Sequence, residues 1–376
     1  MMDTLLKWSV LIGLLAVGEM ACAGLPDDGL RIMANRAQGN CIACHDIPAW
    51  RSSADAASRL TLQGTLGPSL QGVADRYSQE QLRQWVADAR VMRPDTRMPP
   101  YGTTEGLHEA AREQSLLNPL QIEAVVAALA RFTNMATDQA GAASASSPSA
   151  PAVASSVEQL RLADDMTPVV FWVEQGRQTW SRDCVSCHTL GDVAKQIPQF
   201  PRLSARRQLI NLEDQIAVCR QRGGAWPQRV TAASGEDPVT LGLSAFLHDA
   251  ARGRTVHMAA PSSHPEAARW QQHLADGERL YNTRFGHMNL ACRHCHDEKV
   301  GATMRAFRIT PGHPVGFPAY RISWQGMGSM DRRIRACFSG VQARVPAPGD
   351  ERLRQLELYL KYRAQGVALE GPSVKP

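Results

Sequence analysis

Apolar residues recur at helical spacing along much of the chain, and most of these stretches open on a recognisable start signal. Ser78 and Gln81 form a capping box ahead of Leu82, Trp85, Val86 and Ala89. Asn118-Pro119 opens a helix with Ile122, Val125, Val126, Leu129 and Phe132 on one face, and Asp237-Pro238 opens another that ends near Gly253. Asp350 opens the last, with Leu353, Leu356 and Leu360 inward and a stop at Gly366. Two stretches lack such a pattern. Residues 135–157 are Ala/Ser/Pro-rich and read as a flexible linker. Residues 1–23 read as an export signal, with Lys7, a short apolar run from Trp8 to Gly18 and small residues at Ala21-Cys22-Ala23. Acylation of a retained Cys22 is the competing reading, weakened by Glu19 where that signal wants an apolar residue.

Composition narrows the class. A chain of 376 residues is long enough for two or three domains, and with 44% hydrophobic and 20% charged residues it is neither disordered nor a polytopic membrane protein. Aromatic residues, at 6%, are too sparse to fill several cores on their own. The net charge of +5 comes without a sustained basic run, so nucleic acid is not an expected partner. Six of the nine cysteines fall in three copies of one pentapeptide, which argues against a disulfide framework.

The three copies are Cys41-Ile42-Ala43-Cys44-His45, Cys184-Val185-Ser186-Cys187-His188 and Cys292-Arg293-His294-Cys295-His296. Cys-x-x-Cys-His is the attachment signature of haem c: two thiols add to the haem vinyl groups, and the following imidazole ligates iron from the proximal side. Zinc would pair two motifs and leave one unexplained, and a redox dithiol has no need of histidine at the next position three times over. Three covalently bound haem c groups follow, with Cys41, Cys44, Cys184, Cys187, Cys292 and Cys295 as attachment residues and His45, His188 and His296 as proximal ligands. A haem in each core also accounts for the missing aromatic bulk.

Each motif is followed by a loop and then a helix. Gly176 with Trp180 and Gly277 with Tyr281 precede the second and third motifs at the same mutual spacing. The expected fold is therefore mainly α, as three cytochrome c-like haem domains with long loops. Its parts are a monohaem domain over 24–134, the linker, a first haem domain over 158–262 and a second over 263–376, with the last two packed together. A sixth iron ligand is sought in each loop. In the first, Met98 is followed by the stiffening Pro99-Pro100, with His108 and Met92 as rivals. The second loop contains no His or Met, leaving Cys219; a Cys219–Cys337 bridge is the alternative use of that thiol. The third offers Met304, His313, Met327, Met330 and Cys337, of which Cys337 lies in Arg332-Arg333-Ile334-Arg335-Ala336-Cys337, among positive charges that attract an anion.

These residues bring out a resemblance to the SoxXA cytochromes of bacterial thiosulfate oxidation. The third unit resembles the catalytic half of SoxA through Asn289 to Asp297, Gly316-Phe317-Pro318-Ala319-Tyr320-Arg321 with Trp324-Gln325, Arg332-Arg333 through Cys337, and Leu356 to Leu360. The first part resembles SoxX through Gly67-Pro68-Ser69-Leu70, Gly72 to Tyr77 and Pro94 to Pro99. In the family these are usually separate subunits; here they would be fused, X part first, which would raise their effective concentration for docking. The resemblance implies a periplasmic enzyme without stable membrane insertion, an L-cysteine S-thiosulfotransferase. It would join thiosulfate oxidatively to a cysteine of the carrier SoxYZ and pass electrons to a small acceptor cytochrome c. Cys337 would ligate iron and act in sulfur transfer. Arg333, one helical turn earlier, would hold the thiosulfate dianion, with Arg332, Arg335 and Arg363 as lesser candidates. Thiolate ligation lowers and Met ligation raises a haem potential, so electrons would run from the third haem to the first. A tetrathionate-forming thiosulfate dehydrogenase and a plain multihaem electron carrier are the alternative functions.

Overall fold

A computed structural model describes residues 25–47, 63–134, 167–220, 236–305 and 307–375. The expected signal segment 1–23 and the linker 135–157 lie outside the described residues. The protein is mainly α-helical. Its principal helices are α1 (Leu25–Ala34), α2 (Gln79–Met92), α3 (Pro119–Leu129), α4 (Pro168–Asp183), α5 (Leu190–Gln196), α6 (Leu212–Arg220), α7 (Pro238–Ala250), α8 (His264–Asn282), α9 (Met330–Gly340) and α10 (Glu351–Arg363).

The start signals act as read. Ser78 caps α2 and Asn118 caps α3, each with Gln three residues on returning the bond, and Asp237 and Asp350 cap α7 and α10 through their carboxylates. α2 bends at Asp88, whose backbone leaves the helical region (φ −153°, ψ 94°) and whose carboxylate pairs with Arg90 at 2.8 Å. Among the described residues no helix is long and apolar enough to cross a membrane.

The chain forms two compact units. The first takes the N-terminal residues together with two short segments from far along the chain, His287–Asn289 and Gly301–Arg308. Hydrogen bonds explain their membership. Thr65 N donates to Thr303 O (2.9 Å), Thr303 N to Thr65 Oγ1 (3.1 Å), Arg305 to Asn40 Oδ1 (2.6 Å), and His287 Nε2 lies 3.0 Å from Arg112 O. The second unit contains α4 to α10 and a small sheet of β1 (Ala319–Arg321), β2 (Gly326–Gly328) and β3 (Ser373–Lys375), in the order β2-β1-β3. β1 pairs antiparallel with β2 and parallel with β3.

One packing device occurs three times. The helix ahead of each Cys-x-x-Cys-His crosses the helix after the loop at a glycine, so close that a Cβ could not fit. It would lie 2.0 Å from Ala124 O at Gly29, 1.9 Å from Gly242 O at Gly176 and 2.2 Å from Gln355 O at Gly277. Four residues beyond each glycine a large side chain is buried: Met33, Trp180 and Tyr281. Met33 is not aromatic, which is why the first copy of the device is hard to see in the sequence.

The second unit also has a buried polar layer. Arg354 of α10 donates to Asp214 of α6 and Asp331 of α9, each at 2.8 Å, with all three side chains buried. Beside it Ser244 donates to Glu213 (2.6 Å) and Asn211 to Glu357 (3.1 Å), while Lys361 Nζ is buried without a hydrogen-bond partner among the described residues. Burial raises Glu357, helped by Glu213, and the same burial lowers Lys361.

His248 lies in this layer and faces Lys361, Glu213 and Glu357 across one small pocket, its Nδ1 2.9 Å from Ser244 O. Burial, with the Lys361 charge, pushes its pKa down to about 3, so the folded protein keeps it neutral. The unfolded chain takes up that proton near pH 6.5, so the stability conferred by a neutral His248 is complete above that pH and is lost as pH falls towards 3. Thermal unfolding between pH 7 and 5 is expected to show a smaller acid-induced fall in midpoint for His248→Gln than for the parent. Equal slopes would remove His248 as a source of acid sensitivity.

Candidate active site

The first motif lies in the first unit. His45 Nδ1 donates to Pro68 O (2.7 Å), which leaves Nε2 with a free lone pair, and burial lowers the imidazole pKa so that the ring stays neutral. The loop that supplies Pro68 approaches so closely that a Cβ on Gly67 would lie 2.5 Å from the ring. Met98 follows α2 on a loop pinned by Tyr101, whose N donates to Val86 O and whose O accepts from Leu117 N. The Tyr101 hydroxyl bonds Cys41, and burial pushes that thiol up to about 12. Tyr101, only 5% exposed, is a site residue that the sequence reading missed. His108 is exposed and Met92 half-buried.

The third motif, in the second unit, repeats the arrangement. His296 Nδ1 donates to Thr310 O (2.8 Å), its pKa is lowered by burial, and Gly312, at φ 75°, packs 2.9 Å from the ring when given a Cβ. Cys292 is likewise pushed up to about 12 by burial, then by Cys337 and Cys295. A clamp secures this region. Tyr281 donates to Asp297 (2.9 Å), Arg363 pairs with Asp297 and donates to Pro311 O (2.9 Å), and its guanidinium lies 4.6 Å from the Tyr281 ring centroid. Two such histidines, each oriented by a backbone carbonyl and preceded by two cysteines, fit a haem c at both places.

The second motif is more open. Cys187, His188 and Cys219 are exposed, and among the described residues His188 has no carbonyl bond of this kind, its ring lying 6.4 Å from that of Trp180. Cys219, at the end of α6, accepts from Gln215 Nε2 (3.4 Å) and is near enough to Cys184 to help raise its pKa after burial and Asp183. Cys219 and Cys337 are both free thiols, so they form no bridge with each other.

Packing sorts the third loop. Met304 is 42% exposed and belongs to the first unit, and Met327 is buried against Val169, Leu241 and Val374. His313 is half-buried beside Arg363. α9 lays Met330, Ile334 and Phe338 into a core with Tyr281, Phe285 and Cys292, which carries Cys337 to the third motif. The arginines separate as well. Arg363 is held in its clamp, Arg335 donates to Pro346 O (3.0 Å), and Arg332 stacks 4.4 Å from Trp324. Arg333 has no ion pair among the described residues and lies within electrostatic reach of His296 and Arg321.

No protein-family model matches the chain. Among curated proteins, the L-cysteine S-thiosulfotransferase subunit SoxA of Pseudaminobacter salicylatoxidans is 31% identical over 221 residues, covering 55% of this chain and 73% of that protein. The chain belongs to the SoxA family. SoxA of Allochromatium vinosum is 28% identical, covering 58% of this chain and 77% of the relative. The crystal structure of SoxXA from P. pantotrophus superposes with a TM-score of 0.52 at 26% identity, over 59% of this chain and 84% of the solved one. SoxA-type sequence and a mainly helical SoxXA-like fold therefore meet in the chain that carries Cys337, Arg333 and the third haem motif.

Proposed function

We propose that this SoxA-family protein conjugates thiosulfate to the carrier protein SoxYZ at Cys337. As an L-cysteine S-thiosulfotransferase it joins the outer sulfur of thiosulfate to a cysteine sulfur. The thiol S–H bond breaks, an S–S bond forms, and the products are a protein S-thiosulfonate, one proton and two electrons. When bound, a haem c at this site would supply a one-electron acceptor, so that the two electrons would leave one at a time to two molecules of a small acceptor cytochrome c.

The observation that carries this reading is α9, which holds Cys337 near enough to Cys292 of the third motif to raise its pKa, with Arg333 one turn before it in no ion pair among the described residues. A guanidinium there holds the dianion by charge-assisted bonds while the Cys337 thiolate joins the outer sulfur of thiosulfate, two electrons leaving as that S–S bond forms; the carrier thiolate then attacks the same outer sulfur, with the Cys337 thiolate as leaving group. In this proposal Cys292, Cys295, His296 and Cys337 would hold one haem c, which would supply a redox centre beside the reacting sulfurs. Cys184, Cys187, His188 and Cys219 hold the second, and Cys41, Cys44, His45 and Met98 the first. The parts are the SoxX-like 24–134, the linker 135–157 and the SoxA-like 158–262 and 263–376. The protein works in the periplasm after removal of 1–23.

The test is reduction of an acceptor cytochrome by purified holoprotein with thiosulfate, in the presence and absence of SoxYZ, with mass spectrometry of the carrier cysteine. The expected result is reduction that depends on SoxYZ and leaves a thiosulfonate on its thiol. Carrier-independent reduction with tetrathionate would assign a thiosulfate dehydrogenase, and no reduction would leave an electron carrier. A pyridine haemochrome assay is expected to count three haems per chain.

A further inference from the structure

Arg321, the last residue of β1, sits in surroundings unusual for a cation. Its Nε is buried and has no hydrogen-bond partner, and no carboxylate pairs with it among the described residues. The charged groups that influence it are Arg333, which repels it, and Cys337, which attracts it. Burial and Arg333 together bring its pKa down to about 10, so it still carries its charge at neutral pH.

The fold holds this unfavourable arrangement in place. The Arg321 guanidinium lies 5.1 Å and that of Arg332 4.4 Å from the ring centroid of Trp324, so one indole braces two cations. Trp324 can come this close because position 328 is glycine: a Cβ there would lie 2.5 Å from the indole and 3.0 Å from Arg332 Cδ. A buried donor without a partner costs stability, as does repulsion between neighbouring guanidinium groups. Both costs disappear when an oxyanion enters between the cations and the thiol.

We propose that Arg321 is a second anion-binding residue of the Cys337 site and grips the sulfonate end of thiosulfate together with Arg333. The inference deepens the thiosulfotransferase reading and rests on it. Guanidinium forks match the geometry of sulfonate oxygens. Holding the sulfonate leaves the outer sulfur free to form the new S–S bond, and the thiosulfonate product keeps the same sulfonate handle.

The test uses holoprotein carrying Arg321→Gln or Arg321→Lys. Calorimetry gives the thiosulfate Kd without carrier, and the SoxYZ-coupled assay gives KM and kcat. Loss of a charged hydrogen-bonding partner is expected to raise Kd and KM about ten- to a hundredfold, and lysine, which lacks the fork, restores only part of the loss. Unchanged Kd and KM in Arg321→Gln with full haem content would overturn the proposal. So would an altered haem spectrum or potential with unchanged Kd, since the oxyanion would then be a haem propionate. Should the Gln variant lose haem, the Lys variant decides: a raised Kd supports the proposal and an unchanged one overturns it. A parent protein that neither binds nor conjugates thiosulfate would remove the thiosulfotransferase reading and this inference with it. A competent parent with an indifferent Arg321→Gln removes only the role of Arg321.

Discussion

Cys337→Ala is expected to lower SoxYZ-dependent thiosulfate conjugation by at least about 10³-fold, the scale on which loss of a nucleophile acts. Alanine removes the one thiol of α9, while Met330, Ile334 and Phe338, which hold the helix in its core, stay in place. The variant should therefore fold, attach haem and still bind thiosulfate through Arg333 and Arg321, so that loss of turnover without loss of binding separates chemistry from recognition. Cys219→Ala provides the contrast. Its thiol lies in the more open second site, where half-buried Arg202 stacks on Phe200 (4.6 Å) without a second cation on that ring among the described residues. That variant is expected to change a haem spectrum and leave conjugation near the parental rate. A Cys337→Ala protein that conjugates thiosulfate normally would place the chemistry elsewhere.

The helices were legible because their information is local. Asn118 and Gln121, or Ser78 and Gln81, satisfy one another's backbone donors within four residues, and the apolar spacing that follows needs no tertiary context. The Cys-x-x-Cys-His pentapeptides can be read for the same reason, being five adjacent residues each. What escaped was assembled across long separations. Strands β1 to β3 contain three residues each, too short to show an alternating pattern, and β1 pairs with β3 across more than fifty residues. Gly301–Arg308 joins the first unit through Thr65 and Asn40, and nothing in either segment names its partner. Arg363 shows the same limit within the site. As a cation near the end of a helix it looked available to an anion, but Asp297, Pro311 and Tyr281 already occupy it. Arg321 lay in a segment that matched the family, yet only burial of its Nε and the shared Trp324 single it out.

Arg354→Ala is expected to lower the unfolding free energy of the holoprotein by about 3–5 kcal/mol, the cost of stranding buried charge when one partner of an internal ion pair is removed. Arg354 is 6% exposed and serves two carboxylates, Asp214 and Asp331, which are 4% and 6% exposed. Truncation leaves both without their cation, and among the described residues Asp331 keeps only the Gly349 N–H (3.1 Å). The consequence extends beyond stability. Asp214 lies on α6, which carries Cys219, and Asp331 lies on α9, which carries Cys337, so one guanidinium ties together the two helices that present the candidate sulfur ligands. Urea unfolding followed by circular dichroism should show a midpoint lower by about 1 M or more. Soret absorbance read below the unfolding transition should already differ from the parent, because both ligand helices have lost their shared anchor. Arg354→Met combined with Asp214→Asn and Asp331→Asn removes the charges as a set and is expected to recover part of the loss, since an uncharged layer strands nothing. If Arg354→Ala unfolds at the parental urea concentration, the triad is not a structural tie. If stability falls and the native-state Soret band is unmoved, the tie holds the helices together without setting the positions of their sulfurs.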